Sequence, residues 1–511
     1  MKLKSFFCLA IVILPLLLNA QKISYTEPDK DDIRSVDFDI IGKINSNYLI
    51  YKRVHNNYYN ICIYDNNMQL VNKVKMDFLP EKLINSDIIT YHDYFYFIYQ
   101  YQKRNIVYCA AARIDGLGEA GTPVILDTTA INFFANNKIY NVLYSEDKQR
   151  IGIYKINSKD ESRYIFTSCI FDGSLNRLSK TETAIAMHPN SDLLTEFALD
   201  NDGWLAFVKE AGNGNNNSGG TIQELALMIK QPGVDTLTAY PILVPDIYLD
   251  NIRIKVDNSN KHFVIVSFYS KQRRGNIDGL YSTLWKRNSD SALTSKIFEF
   301  NEQLKSNAKS EGSTKGAFND YFLQNVVVRK DGGFVALSES VYSSSRGVYN
   351  NRYDYYGSPY MNNSNYYLYG NPFGYSYYYP WMNPYSYSYP QYTRYYADNI
   401  AIMAFDSSAD MQWTSIIPKS QYDDNSDNFI GYGIYVSTGQ VDFLFNQFSK
   451  RTLLLQSETL DVTGKIKEEP TLKELDRGYQ FMPRYMKQVS SKEVLIPCQY
   501  RNYLCFAKIE F

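Results

Sequence analysis

Histidine and cysteine are scarce in this chain: 4 His and 6 Cys stand among 511 residues. His55, His92, His188 and His262 each sit apart from Cys, Asp or Glu at ligand spacing, which excludes a zinc or metalloprotease motif. There is no Gly-x-x-x-x-Gly-Lys-Ser/Thr loop, no Gly-x-Gly-x-x-Gly opening a helix and no Gly-x-Ser-x-Gly elbow, so neither a phosphate cradle nor a nucleophile turn is encoded. An excess of charge of either sign is missing as well. Lys+Arg number 53 against 54 Asp+Glu, a formal net charge of -1, which leaves no basic footprint for nucleic acid. Asp423-Asp424-Asn425-Ser426-Asp427-Asn428 has the oxygen ligands of a calcium loop but lacks its central Gly and distal Glu, and reads as a solvated connection. These absences point away from an enzyme, and no metal or cofactor is expected.

The N-terminus has the parts of a secretory signal peptide over residues 1–20: basic Lys2 and Lys4, an apolar stretch from Phe6 to Leu18, and a short Asn19-Ala20 end. The apolar stretch is shorter than the roughly 20 residues a spanning helix needs. Cleavage is expected before Gln21, leaving a mature protein that is soluble or held peripherally rather than transmembrane. Cys8 falls within the signal. The remaining Cys62, Cys109, Cys169, Cys498 and Cys505 are odd in number and lack the spacing of a disulfide framework, so they read as buried small hydrophobes. Cys498 with Cys505, or Cys62 with Cys505, can pair only if strands bring them together.

The abundant residue is tyrosine, 47 against 28 Phe and 4 Trp, a composition suited to strands and to amphipathic contact surfaces. A repeat is carried by the punctuation between short apolar runs. One turn type recurs at Asn45-Ser46-Asn47, His92-Asp93, Glu146-Asp147-Lys148, Asn201-Asp202-Gly203, Asn258-Ser259-Asn260, Lys330-Asp331-Gly332, Ser437-Thr438-Gly439 and Ser490-Ser491-Lys492. A strongly apolar run follows each, such as Phe263-Val264-Ile265-Val266, and suits a strand buried on both faces. The second turn type begins on Asp65, Asp115, Asp172, Asp406 and Asp461, with Gln231-Pro232-Gly233 and Arg287-Asn288-Ser289 filling two further places. Asp65 to Asp115 is 50 residues, Asp115 to Asp172 is 57 and Asp406 to Asp461 is 55. Units of about 40–60 residues with four short strands are the period of a β-propeller blade. The chain therefore reads as all-β, a single β-propeller of seven or eight four-stranded blades over residues 21–511. The last unit lacks a fourth strand, and Lys22-Ile23-Ser24-Tyr25 is free to supply it. An outer-membrane β-barrel is the competing fold, because Tyr503 to Phe511 ends on an aromatic as barrel strands often do.

Two insertions fall between the second and third strands of their units, which puts both on one face of the disc. The first, Gly212 to Gly220, is flexible by composition. The second, 342–396, is 55 residues long, holds 19 Tyr and carries only Arg346, Arg352, Arg394 and Asp354 as charges. Tyr and Trp give large, rigid contact area at small entropic cost. Candidate partner-binding residues are accordingly Tyr366, Tyr367, Tyr369, Phe373, Tyr375, Tyr377, Tyr378, Tyr379, Trp381, Tyr385 and Tyr387 of this arm. Arg273 and Arg274 of the basic Lys271-Gln272-Arg273-Arg274-Gly275 loop lie between the two insertions.

The Leu-Asn-Ala-Gln ending of the signal, with the Asn, Lys, Ile and Tyr bias of the chain, resembles exported proteins of the Bacteroidota. That resemblance implies a periplasmic or outer-membrane location and a partner in another envelope protein, such as a subunit of the type 9 secretion machinery. The expected role is a non-enzymatic interaction or scaffold subunit. A glycan-binding or glycan-cleaving propeller is the alternative, since aromatic platforms also stack on sugars.

Overall fold

A computed structural model describes residues 22–511 apart from 29–36, 55–57, 133, 136–137, 161–162, 188–191, 213–221, 310–313, 315, 346–347, 350–392, 425, 450–451, 469–477 and 502. The expected signal peptide, 1–20, lies outside the described residues.

Short antiparallel strands pair with their sequence neighbours into eight four-stranded sheets set in a ring, an eight-bladed β-propeller. Blades 1 to 7 take residues 37–75, 85–130, 141–186, 192–242, 248–299, 321–424 and 432–468 in turn. Blade 8 combines residues 479–510 with the N-terminal strand Lys22–Tyr25, which pairs antiparallel with Tyr503–Glu510 through Lys22 opposite Glu510 and Tyr25 opposite Ala507. The strand from the other end of the chain thus covers an edge that would otherwise be open. Seven blades, the other number the repeat allowed, are too few.

The punctuation has a local cause. In the second turn type the leading Asp folds its carboxylate back over the chain: Oδ1 of Asp172 accepts from the Ser174 and Asn176 amides at 2.9 Å each. Asp65, Asp115, Asp406 and Asp461 do the same with the amides two and four residues on. The residue three after the Asp turns left-handed, Met68 at φ 61°, Leu175 at 64° and Ala409 at 61°, which reverses the strand. An Asp side chain is short enough to make this bond within its own turn, so the residue is fixed by local geometry.

The core lies between blades, not within one central mass. Alternate residues of each middle strand face opposite neighbours: Phe263 and Ile265 pack towards blade 4, Val264 and Val266 towards blade 6. The ring is sealed by the cluster between blades 8 and 1, where Phe38, Ile40 and Tyr48 meet Leu495, Leu504 and Phe506. The Phe38 and Phe506 rings meet edge to face at 5.2 Å. This arrangement rules out the outer-membrane barrel, whose strands would form one closed sheet with an apolar band facing lipid. Here the sheets are separate but for one pair linking blades 4 and 5, Ile222 with Leu249, and the apolar side chains are consumed between blades.

First strands of neighbouring blades touch one another, as in blades 8, 1 and 2 and in blades 3 to 6, and so surround the axis. The fourth strands run outermost; Ala292–Glu299 of blade 5 alternates half-buried and exposed along its length. All five described cysteines are buried.

Candidate partner-binding face

The turns after first and third strands lie on one face, and the connections after second and fourth strands on the other. Both insertions join a second strand to a third: Leu205–Gly212 to Ile222–Lys230 in blade 4, and Phe334–Ser345 to Thr393–Phe405 in blade 6. The arm residues Tyr366, Tyr367, Tyr369, Phe373, Tyr375, Tyr377, Tyr378, Tyr379, Trp381, Tyr385 and Tyr387 lie outside the described residues. What the structure does describe is the base they spring from.

That base is a stem. The last three strands of blade 6 are 12, 13 and 14 residues long, against 9, 8 and 8 in blade 5. At about 3.3 Å per residue, four extra residues carry the sheet about 13 Å further. Strand register sets Tyr342, Tyr396 and Tyr422 side by side across the three strands, and the next rung holds Ser344, Arg394 and Asp424. Cross-strand neighbours share one face of a sheet, so the two rungs form a single surface. Tyr342 stacks on Tyr396 with centroids 4.6 Å apart and planes 11° from parallel, and its hydroxyl donates to Asp398 Oδ2 at 2.8 Å. Arg394 grips Asp424 through two bonds, Nε to Oδ1 at 2.6 Å and Nη2 to Oδ2 at 3.1 Å, and lies 4.5 Å from the centre of the Tyr422 ring. Tyr422 remains 46% exposed. The result is a stiff aromatic surface capped by an ion pair, at the root of the 350–392 segment.

The opposite face of the stem is more enclosed. Ser343, Tyr395 and Asp423 share its rung. Burial pushes the Asp423 carboxyl above the usual aspartate range, against the hydrogen bonds it receives from Ser426 Oγ and the Phe429 amide. Gln421, Tyr422, Asp423, Phe429, Asn446 and Gln480 help line a small cavity of about 160 Å³ there. Asp423 and Asp424, read from sequence as part of a solvated connection, therefore end a strand and are both engaged.

Below the stem a buried ion pair joins second and fourth strands. Lys419 Nζ lies 2.7 Å from Glu339 Oε1, with the two side chains 0% and 4% exposed. It also donates to Ala397 O at 2.8 Å and Gln421 Oε1 at 2.9 Å. Burial pulls the Lys419 ammonium down, and Glu339 opposes that.

Arg273 and Arg274 lie exposed in the turn joining second and third strands of blade 5, Arg274 with φ 53°. Lys271 of the same turn is tied to Glu299 at 2.5 Å, and its amide donates to Asp278 Oδ2 at 2.7 Å. Helix α1 (Glu302–Ala308), capped by Asn301, bridges blades 5 and 6 on this face. Its final carbonyl, of Ala308, accepts from Tyr321 OH and Asn399 Nδ2. Blades 4, 5 and 6 thus present the Gly/Asn insertion point, the arginine turn and the stem in consecutive order on one face.

Two carboxylates near the axis, Glu196 and Asp87, are matched by cations. Burial pushes the Glu196 carboxyl up, but Lys255 at 3.2 Å and Arg253 at 3.0 Å outweigh it and hold it below the usual range. Asp87 pairs with Lys138 at 2.7 Å. Among the described residues, no three His, Cys, Asp or Glu side chains group to hold a metal ion.

No protein-family profile and no curated protein matches the chain. Solved structures it is similar to include propeller domains, each of those named below at 11% sequence identity or less. The WD40 domain of SCAP from fission yeast is 8% identical at TM-score 0.40, over 98% of this chain and 96% of that one. The polysaccharide lyase Uly1 is 11% identical at TM-score 0.40, over 83% and 89%. The β-propeller domain of the Trilobed protease from Pyrococcus furiosus is 10% identical at TM-score 0.36, over 89% and 99%. Likeness this remote says nothing of activity.

Sequence reasoning missed the stem. Tyr342, Arg394 and Tyr396 were visible only as the bounds and content of a low-complexity insertion, where tyrosine recurs too often for alternation to mark a strand.

Proposed function

We propose that this protein is a non-enzymatic interaction subunit that docks on another envelope protein through the face of blades 4, 5 and 6. The observation that carries the reading is the stem: blade 6 extends its strands beyond the disc, lines them with Tyr342, Tyr396 and Tyr422, and locks them with the Arg394–Asp424 pair before the chain enters the Tyr-rich segment. A fold that invests ordered aromatic surface outside its own core supplies a contact platform. The arm would engage the partner from this rigid root, with Arg273 and Arg274 flanking. The signal-like N-terminus and the resemblance to exported Bacteroidota proteins favour a partner in an outer-membrane export or assembly complex, of which the type 9 machinery is the concrete case. Excising 350–392 with a short Gly/Ser bridge tests this. The account expects a folded ring that no longer co-purifies with envelope proteins; undiminished co-purification would refute it.

Glycan binding is a second reading, favoured by one observation. Phe429 lines the cavity on the Asp423 face together with the polar Gln421, Asp423, Asn446 and Gln480, an aromatic and amide set of the kind that holds sugars. Calorimetry with charged and neutral oligosaccharides against Gln480→Ala decides it: heat lost in the variant supports the reading, and no heat in either protein removes it.

A further inference from the structure

Cys498 and Cys505 are directly opposed across the antiparallel strands Glu493–Tyr500 and Tyr503–Glu510 of blade 8. Opposed residues in such a pair hold their Cα atoms about 4.5–5.5 Å apart. That lies within the separation of about 4.4–6.8 Å that a disulfide bridges. The two thiols already interact as hydrogen-bond partners, and Cys505 Sγ also donates to Tyr503 O at 3.7 Å. Both side chains face the same way, into the cluster shared with blade 7 that includes Tyr435, Leu444 and Ile496. Cys62 cannot compete for Cys505: it belongs to the cluster between blades 8 and 1, which receives Leu504 and Phe506 from the other side of the same strand. Of the two pairings the sequence allowed, the fold selects one.

We propose that Cys498 and Cys505 are a disulfide-forming modification site that locks the closing blade. The strand carrying Cys505 is the one on which Lys22–Tyr25 docks, and the Phe506 amide and carbonyl bond Thr26. A covalent rung at this place fixes the register of the C-terminal hairpin before the N-terminal strand arrives. The electron acceptor is a low-molecular-weight or protein disulfide. One cysteine thiolate attacks it and expels a thiolate; the second cysteine thiolate then attacks the mixed disulfide and expels the other. The net change is one Sγ–Sγ bond formed and the donor's S–S bond broken, with two electrons and the two cysteine protons passed to the donor, which leaves as two thiols. Both residues are 0% exposed in the closed ring, so the exchange belongs to the stage before blade 8 closes. The site stands independently of the docking reading.

The test refolds the full chain from urea in a glutathione buffer rich in the oxidised form, alkylates it in denaturant without reductant, and maps the peptides by mass. The expected result is a cross-linked pair containing Cys498 and Cys505, two hydrogens lighter than the sum of its parts, with Cys62, Cys109 and Cys169 alkylated. Reductant should lower the urea midpoint of this protein and leave that of Cys498→Ala/Cys505→Ala unmoved. Alkyl label on both Cys498 and Cys505 after oxidative refolding, or a midpoint indifferent to reductant in the unmodified sequence, would overturn the proposal.

Discussion

Removing the Lys419 ammonium should cost the ring several kcal/mol and loosen the stem above it. The cost is set by what stays behind. In Lys419→Met the Glu339 carboxylate, 4% exposed, loses its cation 2.7 Å away. Breaking one side of a buried pair costs about 3–5 kcal/mol. A deficit of about 3–5 kcal/mol is expected, read from the urea midpoint at constant slope. Replacing both partners, Lys419→Met with Glu339→Leu, should recover most of the loss, because the desolvation cost disappears with the charges. A single variant within about 0.5 kcal/mol of the native protein, inside the range of ordinary surface substitutions, would refute the reasoning.

Three other outcomes follow from the same geometry. Asp423, whose carboxyl burial raises, should destabilise the fold as pH climbs from the ordinary aspartate range through its raised folded value, so that Asp423→Asn gains relative to the native protein across that window in denaturation curves; the opposite slope would show the carboxylate to be favoured where it sits. Asp172→Ala removes an acceptor from two backbone amides and should cost about 1–2 kcal/mol, while Asp172→Asn, which keeps the oxygen, should cost clearly less by thermal melting. Removing residues 22–26 strips the last strand from blade 8, including the Tyr25 ring stacked 4.2 Å from Tyr479, and should yield concentration-dependent association by light scattering as the Tyr503–Glu510 edge finds other partners.

The ring was legible because its signals are local. An Asp that binds amides two and four residues on, or an Asn, Lys or Gly that turns left-handed, must sit at its turn whatever the rest of the chain does, and all eight first-type turns fall where the strands reverse. Closure by Lys22–Tyr25 was legible for a related reason: one unit was a strand short and one strand was spare. The stem was not. Its residues are embedded in a tract where tyrosine recurs so often that alternation carries no contrast. Lys419 and Glu339 are 80 positions apart, Arg394 and Asp424 are 30 apart, and neither pair leaves a mark on its own neighbourhood. Pairings of this kind are written in the third dimension alone. The same holds for Cys498 and Cys505, where the sequence named two partners for one thiol and only the facing of alternate side chains chose between them.

The account turns on whether blade 6 holds a partner. The direct measurement is gentle detergent extraction of the native envelope, followed by sizing and mass spectrometry of what travels with the chain. It is run in parallel on a protein carrying Tyr396→Ser and Tyr422→Ser, which strip the stem of two of its three aligned rings and leave the ring of blades alone. The account predicts that the native chain elutes within a large complex and that the variant elutes as a folded monomer. A native chain that elutes alone, or a variant that stays in the complex, would contradict it.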